Sequence, residues 1–238
     1  MTTAPEVRRL FNVTQESRWA FNGWFGRRDE VVALVMAHEC AAVERVTAEE
    51  VEAACRSAPA PRSPGVPGWR PRFPFTLVAH HAVESLGRLP TWPEFREFCA
   101  ADERARAMLW TPAREVAASA GRAAVRDRVV REFRAFLRDA HVLAVLRGHG
   151  LDVRAHPLAD LVFGVDAWVD RLLLAPRGGP RRSDALLAHA MPPFFFVDLG
   201  LGSSGTGSSR SGSSGTGLHA RPALDRAARR LREVLHPV

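Results

Sequence analysis

Apolar residues recur at spacings of three and four through most of the first 150 positions, and this period predicts helices rather than strands. Residues 5–56 read as a run of helices. They begin at Trp19, Phe21, Trp24 and Phe25, close to Gly23 and Gly26, and continue through Val31 to Val46. Thr47 followed by Glu50 has the spacing of a capping box, so a new helix is expected from Val51 to Arg56. The proline-rich stretch 59–74 cannot be regular structure and predicts a connector or surface arm.

The pattern resumes with a helix over 75–87, and Thr91, with Pro93 at the first helical position, starts a further one through Phe95, Phe98 and Cys99. The longest helical pattern runs from Ala113 to Arg147, carrying Val125, Val129, Phe133, Phe136, Ala140 and Leu143 on one stripe. Gly121 is expected to divide it, and Gly148 and Gly150 to end it. Beyond Gly150 the period changes. Leu161 to Val169 alternates, with Phe163, Val165, Ala167 and Val169 on one face and Gly164, Asp166 and Trp168 on the other, which predicts a half-buried strand. Asp170 and Arg171 turn into a second strand, Leu172 to Ala175. A basic loop follows at 177–182, then a short helix capped by Ser183, then an apolar strand from Phe194 to Leu201. Residues 202–217, nearly all Gly, Ser and Thr, predict a flexible coil, natural or introduced. Pro222 opens a last amphipathic helix with Leu224, Ala228, Leu231 and Leu235 inward and Arg226, Arg229, Arg230 and Arg232 outward. The expected fold is α+β and predominantly helical: a helical region over 1–110, then over 111–238 a small mixed sheet packed on a long helix.

Composition narrows the function. The chain has no Lys, Tyr or Ile, so apart from His every cationic side chain is an Arg. Lysine Schiff bases, phosphate-loop NTPases and nucleases of standard form are excluded. Strong G+C bias in the coding sequence produces the same depletion, which points to a high-G+C bacterium. A net charge of +7 and a pI near 11 favour an anionic partner, nucleic acid or an acidic protein surface. The polar stretch Met1–Leu10 lacks a signal-peptide core and no apolar run reaches membrane-spanning length, so a cytoplasmic protein without membrane contact is expected. Cys40, Cys55 and Cys99 read as buried small hydrophobes in a reducing compartment.

Three carboxylates fall at suggestive places: Glu132 at the edge of the long helix's apolar stripe, Asp166 in GVDAW and Asp198 in FVDLG. A helix acid, a strand Asp and a second acidic strand, closed by a basic helix, make an order that resembles the PD-(D/E)XK nuclease fold over roughly residues 122–238. The resemblance implies Mg²⁺ or Mn²⁺ held by Asp166 and Asp198 with Glu132 beside them, and phosphodiester hydrolysis. Gly200 stands where that family carries its catalytic Lys, so hydrolysis is impaired or lost, or an Arg such as Arg181 or Arg182 supplies the charge, or Gly200 replaces a Lys. Arg177, Arg181, Arg182, Arg226, Arg229 and Arg230 are the candidate phosphate contacts. The leading expectation is a DNA-binding, nuclease-like protein and a Mg-dependent endonuclease where catalysis survives. Its rivals are a non-catalytic nucleic-acid-binding or scaffolding subunit of a larger nucleoprotein or defence assembly, and a protein-interaction adaptor.

Other features carry less. His80 and His81 are adjacent on a predicted helix and point apart, which makes them poor co-ligands. His141, His149 and His156 flank the helix-to-strand junction and read as structural groups, or as imidazoles near phosphate. The cluster Trp19, Phe21, Trp24 and Phe25, with Arg8, Arg9, Arg18, Arg27 and Arg28 around it, is either core or a base-stacking platform.

Overall fold

The computed structural model of the chain describes residues 1–14, 29–62, 75–175, 195–199, 201 and 218–236. The fold is predominantly helical α+β, with a small sheet packed on one long helix. Helix α1 (Ala4–Leu10) is followed by α2 (Asp29–Ala37), α3 (Ala41–Arg45), α4 (Ala48–Ser57), α5 (Phe75–Leu86) and α6 (Trp92–Ala101). The next helical rod is continuous but changes pitch, from α7 (Glu103–Ala105) through the π-helical turn π1 (Arg106–Trp110) into α8 (Thr111–Ala120).

Local signals set most boundaries. Thr47 and Glu50 form the expected capping box, Thr47 accepting from the Glu50 amide at 3.2 Å while the Glu50 carboxylate takes the Thr47 amide at 2.8 Å. Glu94 likewise reaches back to the Thr91 amide at 2.8 Å at the start of α6. Gly121 stands at φ +87°, a conformation closed to most side chains, and there α8 gives way to the long helix α9 (Arg122–Gly148).

Two expectations fail for tertiary reasons. The run Val31–Val46 is not one helix, because residues 38–40 leave the helix. Glu39 pairs antiparallel with Thr3, and the Cys40 amide donates to the Thr2 carbonyl at 3.0 Å. Glu84 of α5 then caps the restarted α3, accepting from the Ala42 amide at 2.8 Å and the Val43 amide at 2.9 Å. The strand placed over Leu161–Val169 is a helix in its first half: α10 (Pro157–Phe163) ends on Gly164 in the left-handed region, φ +68°, and strand β1 covers only Ala167–Val169. It is buried on both faces, so the half-buried alternation does not hold. Trp168 packs edge-on against Phe11, whose ring stacks on Phe163 at 5.2 Å, while Ala167 and Val169 pack with Val142 to Leu146 of α9.

β1 pairs antiparallel with β2 (Leu172–Ala175) around a turn in which Asp170 takes φ +48°, tolerated by Asp. β3 (Phe195–Asp198) adds to β2 in parallel, giving the order β1-β2-β3. The last helix, α11 (Arg221–Leu235), buries Leu224, Ala227, Ala228 and Leu231 against the sheet side of the core. His149 ties α9 to it through Asp225 at 2.8 Å, and the Arg232 guanidinium donates to the His149 carbonyl. A second core joins Val7, Leu77, Phe95, Phe133 and Phe163, so residues on both sides of position 110 share one interior.

His141 of α9 is 3% exposed, and neither ring nitrogen has a hydrogen-bond partner. Burial lowers its pKa from the ordinary 6.5 and outweighs the pull of Glu52, whose carboxylate lies 3.8 Å away. The stability that goes with the neutral ring is therefore complete above pH ~6.5 and lost as the pH falls below it. His141→Leu is expected to raise stability by about 1 kcal/mol at neutral pH and to lessen this acid sensitivity. Denaturant melts at pH 7.5 and 5 check this, and a variant less stable at both would refute it.

Candidate functional site

Two places bring functional side chains together. The larger is a groove of about 640 Å³ between α6, the π1–α8 rod and α9. Arg96, Arg114, Arg122 and Arg126 line it with Trp92 and Trp110, and among the described residues no carboxylate lines it. Helical periodicity builds each wall. Trp92 and Arg96 are one turn apart on α6, as are Trp110 and Arg114 across the π1–α8 junction, and Arg122 and Arg126 on α9. All four arginines are exposed, and none forms an ion pair among the described residues. Trp92 is 5% exposed and its ring packs 5.4 Å from that of Phe133, so it is floor, while Trp110 is half-buried. The π-helical turn adds a residue to one helical turn and so re-aims the side chains at its end, Trp110 among them.

The second place is a cavity of about 30 Å³, room for a water or two, lined by residues of α3, α5, α9 and α10 and the segments beside them. Asp139, Asp160 and Asp166 line it together with His80, His156 and Arg147. Arg147 is held by the Val153 carbonyl at 2.7 Å and the Val43 carbonyl at 3.1 Å. His80 also belongs to a group of three buried side chains, with His38 and Cys40. Their ligand atoms are within 4.8 Å of one another, the one such metal-ligating group among the described residues. Burial, with His156 and His81 near, pulls His38 down to about 3. Burial also holds His80 well below the ordinary imidazole range and pushes the Cys40 thiol well above its own, so all three are neutral.

No protein-family model, curated protein or solved structure matches this chain.

The carboxylates expected from the sequence are placed as follows. Asp166 lines the small cavity. Glu132 does not; it forms an ion pair with Arg128 at 2.6 Å, and the carboxylate that α9 contributes to the cavity is Asp139, two turns further on. Asp198 lies on β3 across from Ala175, one step beyond the Leu174–Ala167 pair. Asp166 comes one residue before β1 and Asp198 is the last residue of β3, so with β2 between those strands both lie towards the same end of the sheet. Arg226, Arg229 and Arg230 are exposed along α11, as expected. Arg177, Arg181, Arg182, the helix from Ser183, Gly200, the coil 202–217, the cluster Trp19 to Phe25 with Arg18, Arg27 and Arg28, and the arm beyond residue 62 lie outside the described residues. His149 and His156 serve structure, His149 in the Asp225 bridge and His156 as N-cap of α10. Among the described residues no helix is long and apolar enough to cross a membrane.

The groove was not anticipated. Its signal is the repeated W-x-x-x-R of Trp92–Arg96 and Trp110–Arg114, which puts an indole and a guanidinium on one helix face twice.

Proposed function

We propose that the chain binds nucleic acid, DNA in the first instance, through the groove lined by Arg96, Arg114, Arg122 and Arg126. The observation that carries this reading is a groove of about 640 Å³ lined by four exposed arginines and a half-buried indole, in which, among the described residues, no carboxylate lines the wall or pairs with those arginines. Guanidinium forks pair with phosphate and stay charged at any working pH. An unpaired base stacks on an indole face at roughly 1–3 kcal/mol, so single strands are expected to bind better than duplex. The exposed Arg226, Arg229 and Arg230 of α11 offer a further phosphate strip. The net charge of +7 acts in the same direction.

The test is fluorescence anisotropy of labelled single-stranded and duplex oligonucleotides between 50 and 200 mM salt. Four phosphate contacts on a single strand predict a slope of log K against log salt of about −3. Absence of binding at the lowest salt, or binding indifferent to salt, refutes the reading.

Metal-dependent phosphodiester hydrolysis is the second reading, and what favours it is the shared sheet end of Asp166 and Asp198. Glu132, committed to Arg128, does not fit a Mg²⁺ or Mn²⁺ site with Asp166, so no catalytic step is derived through such an ion. Cleavage of labelled DNA in Mn²⁺ that disappears with EDTA and with Asp166→Ala is the expected result under this reading. No cleavage by the native chain, or cleavage that survives Asp166→Ala, removes it and leaves a binding protein.

A further inference from the structure

The buried group His38, Cys40 and His80 is separate from the arginine groove and has no part in the binding reading. Its placement follows from the backbone. Glu39 is bridged antiparallel to Thr3, and His38 and Cys40 flank it; the two neighbours of a residue in β-type backbone project to the same side, so His38 and Cys40 face one way. His80 meets them from α5, with its Nδ1 3.7 Å from Cys40 Sγ. Zinc–sulfur and zinc–nitrogen bonds of about 2.3 and 2.0–2.1 Å at the tetrahedral angle require a sulfur-to-nitrogen edge of about 3.5 Å, so this pair already stands at the needed separation.

A thiol donating to the His80 ring would account for that one contact. It would leave His38 Nε2 buried with no hydrogen-bond partner, in a residue only 6% exposed. A buried ring nitrogen without a partner calls for an explanation, and an ion supplies one. The surroundings are built to hold the group still. His156 accepts the Leu158 amide at Nδ1, 3.0 Å, and so presents Nε2–H to the His38 carbonyl at 3.1 Å, fixing the backbone of the first ligand. Glu84, one turn along from His80, is locked onto the amides of Ala42 and Val43, two and three residues past Cys40. His80 also lines the cavity of about 30 Å³, which has room for a water as fourth ligand.

We propose that His38, Cys40 and His80 form a binding site for Zn²⁺, with two neutral imidazoles, one thiolate and a water in the fourth position. On binding, the Cys40 S–H bond breaks, its proton passes to solvent, and the sulfur forms the metal bond. Nitrogen and sulfur ligands select zinc over Mg²⁺ or Ca²⁺, which take oxygen.

The experiment strips the purified full-length chain with chelator and titrates it with Zn²⁺ by calorimetry in two buffers of different ionisation enthalpy, then with Co²⁺ followed by absorption. One equivalent of Zn²⁺ bound with release of about one proton is expected, together with a thiolate-to-cobalt charge-transfer band and the visible transitions of a tetrahedral site. The band should vanish in Cys40→Ser and persist in Cys99→Ser, whose thiol lies elsewhere in the core. His38→Gln keeps most of the ring's volume and removes its nitrogen ligand, so it carries the test where Cys40→Ser does not fold. A folded native chain that takes up no Zn²⁺ and gives no thiolate band overturns the proposal, as does a band that survives Cys40→Ser or His38→Gln.

Discussion

Replacing Arg114, Arg122 and Arg126 together by Gln is expected to weaken single-stranded DNA binding by about two orders of magnitude at 0.1 M salt and to flatten its salt dependence. Each guanidinium that neutralises a phosphate releases roughly 0.7 of a counterion from a single strand, and at 0.1 M salt that release favours binding about fivefold. Three contacts multiply to about a hundredfold and remove about 2 from the slope of log K against log salt. The three side chains are exposed and make no ion pair among the described residues, so their removal should leave the fold intact. Equal anisotropy curves for the native and triple-Gln proteins would show that the groove is not where DNA binds. A loss of affinity with an unchanged slope would mean the arginines act on something other than phosphate. The matching change on α11, Arg226, Arg229 and Arg230 to Gln, divides the effect between the two surfaces and is expected to be the smaller, because that strip has no indole beside it.

What could be read from the sequence follows the range of the forces involved. Helix starts at Thr47 and Thr91 and the break at Gly121 are set within four residues by side chains bonding nearby amides or by a φ that glycine alone enters freely, and these were legible. The amphipathic α11 was legible for the same reason, its period lying within one element. The interruption at residues 38–40 was not, because the partners that hold the chain there, Thr2, Thr3 and Glu84, lie about forty positions away. The strand predicted from Leu161 failed at Gly164, where a left-handed turn ends a helix that alternation alone cannot tell from a strand. The candidate sites divide in the same way. Asp166 was legible as an unusual acid among apolar neighbours, and it does line a cavity. That Asp139 rather than Glu132 shares this cavity depends on how α9 is packed, and a position two turns away on one stripe looks equivalent in sequence. The His38, Cys40 and His80 group was invisible, since an H-x-C spacing meets an HH pair only after the fold brings α5 across it.

The second large effect concerns the floor beneath the groove. Phe133 is fully buried on α9; its ring stacks on Phe95 with centroids 4.9 Å apart and meets Trp92 at 5.4 Å, joining α9 to α6. Phe133→Ala is expected to cost about 3–5 kcal/mol, the lost transfer energy of the ring plus the cavity its neighbours cannot close. For a chain of this length that lowers the melting temperature by about 10 °C, and it removes a large part of a total of the order of 5–15 kcal/mol. Phe133→Leu should cost distinctly less, because it restores most of the lost volume though not the stacked face. Denaturant unfolding with an unchanged m-value separates a weakened core from a change in the unfolded state. Trp92 rests on Phe133 and also lines the groove, so the same substitution should weaken DNA binding at temperatures well below the melt, without altering the salt slope set by the arginines. A Phe133→Ala protein within 1 kcal/mol of the native chain, or one destabilised as expected yet binding DNA with native affinity, would show that the groove does not depend on the packing of α6 against α9.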